Sequence, residues 1–155
     1  MRKLAMFNLI TLDGFFEGIH HEIDWHNVDA EFNDHAISQL ESTGGLVFGR
    51  LTYEVMARYW TSPEARRDDR IIANFMNTIP KYVFSRTLDR VDWENAQLMK
   101  GDAAEMVKNL KAQPGKDLLI FGSADLSATL IQHGLIDEFS LLVNPVVLGS
   151  GVPLF

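Results

Sequence analysis

The sequence contains no cysteine, which excludes disulfide bonds and thiolate metal sites. This absence fits a reducing compartment, and we expect a cytoplasmic protein. Long apolar runs are missing too, since none approaches the roughly 20 residues that a membrane-spanning helix needs. The opening segment pairs basic and apolar side chains as a signal peptide does, but Asn8 and Thr11 interrupt it and no small-residue cleavage site follows. It therefore predicts a first strand.

Positive charge is also scarce. The formal net charge is -7, which argues against nucleic-acid binding because that activity needs a basic face. A small anionic ligand is compatible with this charge if individual Arg side chains and backbone N–H groups hold it. The chain has 155 residues, of which 46% are hydrophobic, and this predicts a single domain over residues 1–155 with its own core.

Two familiar catalytic patterns are absent. Histidines are concentrated early in the chain without H-x-x-x-H spacing, so we expect no metal site; they are His20, His21, His26 and His35. There is no G-x-S-x-G sequence, which counts against a Ser-His-Asp hydrolase.

Strand and helix patterns alternate along the chain. Strands are predicted at 4–12, 46–48, 81–85, 118–121 and 138–147, and helices at 29–43, 52–59, 70–78, 102–111 and 124–133. Residues 13–28 are predicted to form a loop, and 61–70 a charged connection. Gly44-Gly45 is expected to end the first helix, and Pro145 indicates an edge strand or a bulge. This alternation predicts an α/β fold with a mostly parallel central sheet.

Glycine, serine and arginine follow the predicted strands, where parallel sheets bind ligands. These strand ends are Asp13-Gly14, Gly49-Arg50, Ser85-Arg86 and Gly122-Ser123. Helix N-termini and Arg forks bind phosphate, and glycine lets a ligand approach the backbone. Together the four ends predict an extended ligand with phosphates. Each end taken alone has a simpler interpretation: a helix cap at Ser123 or Thr52, an ion pair at Arg50, or a solvated turn at Ser85-Arg86.

Aromatic residues cluster around the first loop and the helices that follow it. Most are expected in the core or in a subunit interface. Trp25 and Phe32 are our candidates for stacking against a planar heterocyclic substrate.

Four segments, in order and spanning essentially the whole chain, resemble the dihydrofolate-reductase-like superfamily: LITLDGFFEG, VFGRLTYEVM, YVFSRTL and LLIFGSADLSATLIQHGLIDEFSLLVNPVVLGSGVPLF. The closest resemblance is to the reductase domain of bifunctional riboflavin-biosynthesis deaminase-reductases. It implies a three-layer fold with helices on both faces of the sheet, a homodimer, and NADPH-dependent reduction of a small pyrimidine or pteridine. It also implies that another strand pair follows residue 155.

The resemblance further implies an NADPH site in three parts. The adenosine-phosphate end is assigned to Gly49, Arg50, Thr52, Ser85 and Arg86. The pyrophosphate is assigned to Gly122, Ser123, Ala124, Asp125 and Leu126, and the nicotinamide to Leu9, Ile10 and Gly14.

The proton donor is less well defined by the resemblance. Dihydrofolate reductases place an acid five residues after a tryptophan, whereas here Trp25 is followed by Asp29 at four and Glu31 at six. Asp29 is the first candidate and Asp13 the second, although Asp29 could instead serve as a helix cap. The shifted acid counts against a true dihydrofolate reductase. The sequence is also compatible with a nucleotide-binding protein without turnover, and with an oligomeric domain whose Gly-Ser turns are only structural.

Overall fold

The computed structural model describes all residues, Met1–Phe155. Its strands are β1 (Leu4–Thr11), β2 (Phe15–Glu17), β3 (Thr43–Gly49), β4 (Lys81–Phe84), β5 (Ala96–Met99), β6 (Asp117–Phe121), β7 (Glu138–Asn144) and β8 (Val152–Pro153). Its helices are α1 (Ala30–Glu41), α2 (Arg50–Trp60), α3 (Pro63–Asp68), α4 (Arg70–Thr78), α5 (Ala103–Ala112) and α6 (Ala124–Gln132).

Six of the strands form one sheet in the order β5-β4-β3-β6-β1-β7. Every neighbouring pair in this sheet is parallel; between β3 and β6, for example, Leu46 lies opposite Leu119. The two short strands β2 and β8 form a separate antiparallel pair. The predicted α/β fold with a mostly parallel sheet is confirmed, and β7 lies at the edge that Pro145 indicated.

Helices cover both faces of the sheet, which explains the uninterrupted apolar runs 46–48 in β3 and 118–121 in β6. In β3, Val47 packs in a cluster with residues of α5 and α6, whereas Leu46 and Phe48 pack with residues of α1, α2 and α4. All three side chains are completely buried, and each such burial contributes roughly 1.5–3 kcal/mol. The result is the predicted three-layer arrangement.

The end of the first helix differs from the prediction. Gly44-Gly45 does not end α1, which stops at Glu41; both glycines lie inside β3. A Cβ on Gly45 would lie 2.8 Å from Cδ2 of Leu118 and 2.9 Å from Cε2 of Tyr82. These glycines are therefore needed for close packing within the sheet. They were predicted to end the helix because they follow an amphipathic segment.

The sequence did not predict β2, α3, β5 or β8. Residues 13–28, predicted as a loop, contain β2, and the charged connection 61–70 contains α3. Strands of two to four residues are too short for an alternating pattern to stand out. The helix α3 did have a signal, because Ser62 accepts the N–H of Ala65 at 3.2 Å and Pro63 occupies the first turn.

Other boundaries shift slightly. The helix α2 begins at Arg50 rather than Thr52, and β7 ends at Asn144, directly before Pro145. The longest helix, α1, has 12 residues, and no helix has the length and apolarity to cross a membrane.

Candidate active site

A cleft opens at the carboxyl ends of the central strands. Strand β3 leads into α2 and strand β6 leads into α6; the two strands are neighbours, but the helices pack on opposite faces of the sheet. Loops diverge at such a point, which is where open α/β sheets bind ligands. The cleft has a volume of about 1280 Å³ and takes its lining from both sides of the sheet.

Ser123 joins the two sides of the cleft. Its hydroxyl accepts the N–H of Gly49 at 2.8 Å and donates to Oγ1 of Thr52 at 3.0 Å. The start of α2 is thereby hydrogen-bonded to the start of α6. The interpretation of Ser123 as a side-chain cap of α6 is wrong, because this hydroxyl makes no bond to the first turn of that helix.

The start of α6 consequently keeps free N–H groups. Those of Ala124, Asp125 and Leu126 have no acceptor in the protein, and the N–H of Ser127 is the first that is bonded, to the carbonyl of Ser123 at 2.9 Å. The helices α2 and α4 also lack a side-chain cap, whereas α1, α3 and α5 each have one; of the three uncapped starts, those of α2 and α6 are joined through Ser123. Because a helix N-terminus carries partial positive charge, two adjacent uncapped starts favour binding of an anion.

Two glycines permit the close approach of these helix starts. A Cβ on Gly49 would lie 2.6 Å from Oγ of Ser123, and one on Gly122 would lie 2.8 Å from Oγ1 of Thr52. Gly122 also has a φ of +54°, in the left-handed region. The sequence interpretation gave these glycines the role of admitting a ligand; the structure shows protein side chains in the space beside them.

Asn8 supports the Gly122 turn from within the sheet. Its Oδ1 accepts the N–H of Gly122 at 2.7 Å, while Oγ of Ser127 donates to the Gly122 carbonyl at 3.0 Å. The Nδ2 of Asn8 is buried and has no acceptor. Buried donors are almost always paired, and Asn8 lines the cleft, so this amide is available to a ligand. Its only signal in the sequence is that it interrupts an apolar strand.

The predicted phosphate-binding side chains Arg50, Ser85 and Arg86 all line the cleft. Nη1 of Arg50 pairs with Oε1 of Glu54 at 3.2 Å, so the simpler role of ion-pair partner is present as well. Oγ of Ser85 accepts the N–H groups of Thr87 and Leu88 at 3.2 and 3.1 Å and shapes the turn after β4.

The side of the cleft next to α1 is aromatic. Phe7, Phe32 and Phe121 line it, and the Phe7 ring centroid lies 6.0 Å from that of Phe32 and 5.7 Å from that of Phe121. Leu9, assigned to the nicotinamide, lines the same cleft. These rings offer a surface on which a planar ligand can stack.

Some residues assigned to the site do not line the cleft: Ile10, Asp13, Gly14, Trp25 and Asp29. Ile10 is buried in the core. The indole N–H of Trp25 donates to the carbonyl of Glu22 at 3.2 Å, and the ring meets His26 edge-on. This part of the assignment followed residue order, whereas the side that each side chain faces depends on how the 13–28 segment folds.

The two candidate proton donors, Asp29 and Asp13, both accept hydrogen bonds from other groups of the protein, which is not the role of a proton donor. Asp29 accepts the N–H of Phe32 at 2.9 Å and so caps α1, and it lines a separate cavity of about 370 Å³. Asp13 accepts the Thr11 hydroxyl at 2.6 Å and the N–H of Gly149 at 2.9 Å. The bond from Thr11 is the main cause that lowers the pKa of Asp13, which therefore stays ionised and is a poor acid.

Glu17 is a carboxylate inside the cleft that the sequence interpretation missed because β2 was not predicted. Its Oε1 lies 2.5 Å from Nδ1 of His21, and its side chain is 15% exposed against 61% for His21. A shielded acid beside an exposed imidazole forms a path along which a proton can pass from solvent into the cleft.

A family model for the RibD C-terminal domain matches residues 2–155. This chain belongs to that family. The resemblance to riboflavin-pathway reductase domains is thereby confirmed at the level of the family.

Two relatives of this RibD C-terminal domain chain come from Bacillus subtilis (strain 168). The uncharacterized protein YyaP is 36% identical, with 99% of this chain and 80% of YyaP covered. The uncharacterized protein YwjB is 30% identical, with 99% of this chain and 83% of YwjB covered.

Two solved structures share the fold. A candidate riboflavin biosynthesis protein from Shewanella sp. PV-4 matches with a TM-score of 0.73 and 26% identity, over 99% of this chain and 82% of that chain. A diaminohydroxyphosphoribosylaminopyrimidine deaminase/5-amino-6-(5-phosphoribosylamino)uracil reductase from Thermotoga maritima matches with a TM-score of 0.69 over 99% of this chain and 48% of that chain. At 14% identity the second match shows the fold alone.

Proposed function

We propose that this chain is a reductase that uses NADPH to reduce a small heterocyclic molecule. The observation that carries the proposal is the pair of uncapped helix starts, α2 and α6, held together by Ser123 at the point where β3 and β6 diverge. Membership of the RibD C-terminal domain family and the similarity to a candidate riboflavin biosynthesis protein support a reductase-type activity.

The residues present fit the phosphates of NADPH. The free N–H groups of Ala124, Asp125 and Leu126 would bind the pyrophosphate, and the adjacent start of α2 adds a second partial positive charge. Arg86 follows β4, which lies two strands away from β6. The distance between β4 and β6 across the sheet is roughly 10 Å. That separation suits the 2′-phosphate of the adenosine, with Arg50 between the two sites.

NADPH, when bound, supplies the hydride. The chain's own part is to hold and orient the two reactants and to exclude water. The aromatic wall of Phe7, Phe32 and Phe121 keeps the α1 side of the cleft apolar. Glu17 with His21 is our preferred route for the proton, since Asp29 and Asp13 lie outside the cleft lining.

Calorimetric titration with NADPH and NADH tests the proposal. NADPH should bind more tightly than NADH, and Arg86→Ala should remove most of that preference because the 2′-phosphate loses its forked partner. Arg67→Ala is the matched control, since Arg67 is exposed and pairs with Asp68 away from the cleft. No binding of either cofactor at millimolar concentration would reject both a reductase and a nucleotide-binding protein.

Turnover separates a reductase from the two remaining functions. Binding of NADPH without its oxidation by any acceptor would favour a nucleotide-binding protein. Oxidation of NADPH by dihydrofolate at a higher rate than by any other acceptor would favour a dihydrofolate reductase. The homodimer and the cytoplasmic location stay predictions.

A further inference from the structure

The acceptor half of the cleft differs chemically from the half that holds the helix starts. We define it as the lining from residues 16–28, α1, α4 and the exposed side of α2. Its exposed apolar side chains are Ile23, Val28, Leu51, Val55 and Tyr59. Three of these recur every four residues on α2 and so form a stripe along that helix. An apolar stripe inside a cleft favours a ligand with apolar surface.

The acidic side chains of the acceptor half are already paired. Glu17 contacts His21 at 2.5 Å and Glu54 contacts Arg50 at 3.2 Å. Asp69 accepts a hydrogen bond from the Tyr59 hydroxyl, which raises the pKa of Tyr59 to about 12.

Arg58 is the one further cation in this half, exposed in the last turn of α2. The three carboxylates, Glu17, Glu54 and Asp69, outnumber the two permanent cations, Arg50 and Arg58. A phosphate group in the acceptor half would therefore meet like charge with little compensation.

Two buried polar atoms of the cleft lining lack partners: Nδ2 of Asn8 and Nε2 of His26. Burial lowers the pKa of His26, so its ring is neutral and adds no positive charge. Asn8 lies outside the acceptor half, against the Gly122 turn at the helix starts, so His26 is the unpartnered polar group of this half. A neutral imidazole suits the polar edge of an uncharged heterocycle. The rings of Phe7, Phe32 and Phe121 line the same cleft and offer a stacking surface.

We infer that the hydride acceptor is an uncharged, planar heteroaromatic molecule without a phosphate group. The inference rests on the proposed function and goes beyond it by naming the substrate class. Reduction adds the hydride of NADPH at one end of a conjugated C=N system and a proton from water at the opposite end. NADPH is oxidised to NADP⁺ while the ring gains two electrons.

Riboflavin and riboflavin 5′-phosphate are matched probes, since they share one ring and differ by one phosphate. Each is titrated into protein saturated with NADP⁺, so that the phosphate cannot occupy the helix starts, and binding is followed by calorimetry and by quenching of flavin fluorescence. We expect riboflavin to bind at least about tenfold more tightly than its phosphate. Equal or tighter binding of the phosphate overturns the inference, and so does failure of both probes to bind.

Val55→Arg adds a cation to the apolar stripe, and Ile71→Arg is its matched control. Both positions are exposed on helices, 53% and 59% respectively, but Ile71 does not line the cleft. Val55→Arg should strengthen binding of riboflavin 5′-phosphate about fivefold relative to riboflavin, and Ile71→Arg should leave the ratio unchanged. The same ratio in both variants contradicts the placement of the ligand against α2.

The two proposals can fail separately. The titration with NADP⁺ alone reports on the proposed cofactor site. If NADP⁺ does not bind, the proposed function fails and the inference about its hydride acceptor fails with it. If NADP⁺ binds and riboflavin 5′-phosphate binds as tightly as riboflavin, only the inference fails and the proposed cofactor site stands.

Discussion

Replacement of Gly122 by alanine tests the close approach of the two helix starts. A Cβ at this position would lie 2.8 Å from Oγ1 of Thr52 and 2.9 Å from Cζ of Phe16, and the backbone φ is +54°. Gly134, at the opposite end of α6, provides the comparison: its φ is +65°, but nothing lies within 4 Å of its added Cβ. Both substitutions strain a left-handed residue, and only the first crowds the cleft.

The magnitudes follow from these two contributions. A left-handed alanine costs roughly 1–2 kcal/mol at either site. Crowding at Gly122 adds roughly 1–3 kcal/mol, because Thr52 is fixed by its bond from Ser123 and cannot move freely. We therefore expect Gly122→Ala to lower the free energy of unfolding by about 2–5 kcal/mol and Gly134→Ala by about 1–2 kcal/mol.

Urea unfolding followed by tryptophan fluorescence measures both values, and NADPH titration of the folded variants measures the effect on the cleft. Gly122→Ala should also weaken NADPH binding by about tenfold or more, because the pyrophosphate site shifts. Gly134→Ala should leave the affinity unchanged. Equal losses of stability together with equal affinities would refute the role given to the Gly122 turn.

Three further predictions concern Lys81, Asp137 and Glu17. Burial lowers the pKa of Lys81 to about 8 from its ordinary 10.5. Between these two pH values the unfolded chain holds more protons than the folded chain, so the free energy of unfolding should rise with pH by at most about 1.4 kcal/mol per pH unit. Lys81→Met should abolish this rise. Asp137→Asn removes the charged partner of buried Lys111, whose Nζ lies 2.7 Å from Oδ2 of Asp137, and should lower the free energy of unfolding in urea by roughly 2 kcal/mol. The loss is smaller than for a fully buried ion pair because the Asp137 side chain is 36% exposed. An equal loss in Asp117→Asn would contradict this. Glu17→Gln should lower turnover while NADPH binding persists, whereas Asp29→Asn should retain turnover because asparagine still caps α1. Steady-state NADPH oxidation measures turnover in both variants, and the reverse pattern would restore Asp29 as the acid.

The long elements of the fold were predictable because their patterns are strong. The helix α5 follows the Asp102 cap, which accepts the N–H of Glu105 at 3.0 Å, and the apolar strand β6 ends where Gly122 begins the turn. Strand β5 lacks β-branched residues and is too short to show a period, so only its pairing with β4 defines it.

The site was predictable in part for the same reason. Strand ends such as Gly49-Arg50 and Gly122-Ser123 stand at fixed places in a parallel sheet, so their meeting at one cleft follows from topology. The partners of individual side chains do not follow from topology. The bond from Ser123 to Thr52 joins residues more than 70 positions apart, and the unpaired amide of Asn8 is defined by a missing contact. No local sequence pattern indicates either feature.

A crystal structure of the chain with NADP⁺ tests the central claim most directly. We expect pyrophosphate oxygens within hydrogen-bonding distance of the N–H groups of Ala124, Asp125 and Leu126, and the 2′-phosphate against Arg86. A pyrophosphate bound away from the starts of α2 and α6, with those N–H groups left free, would contradict the account.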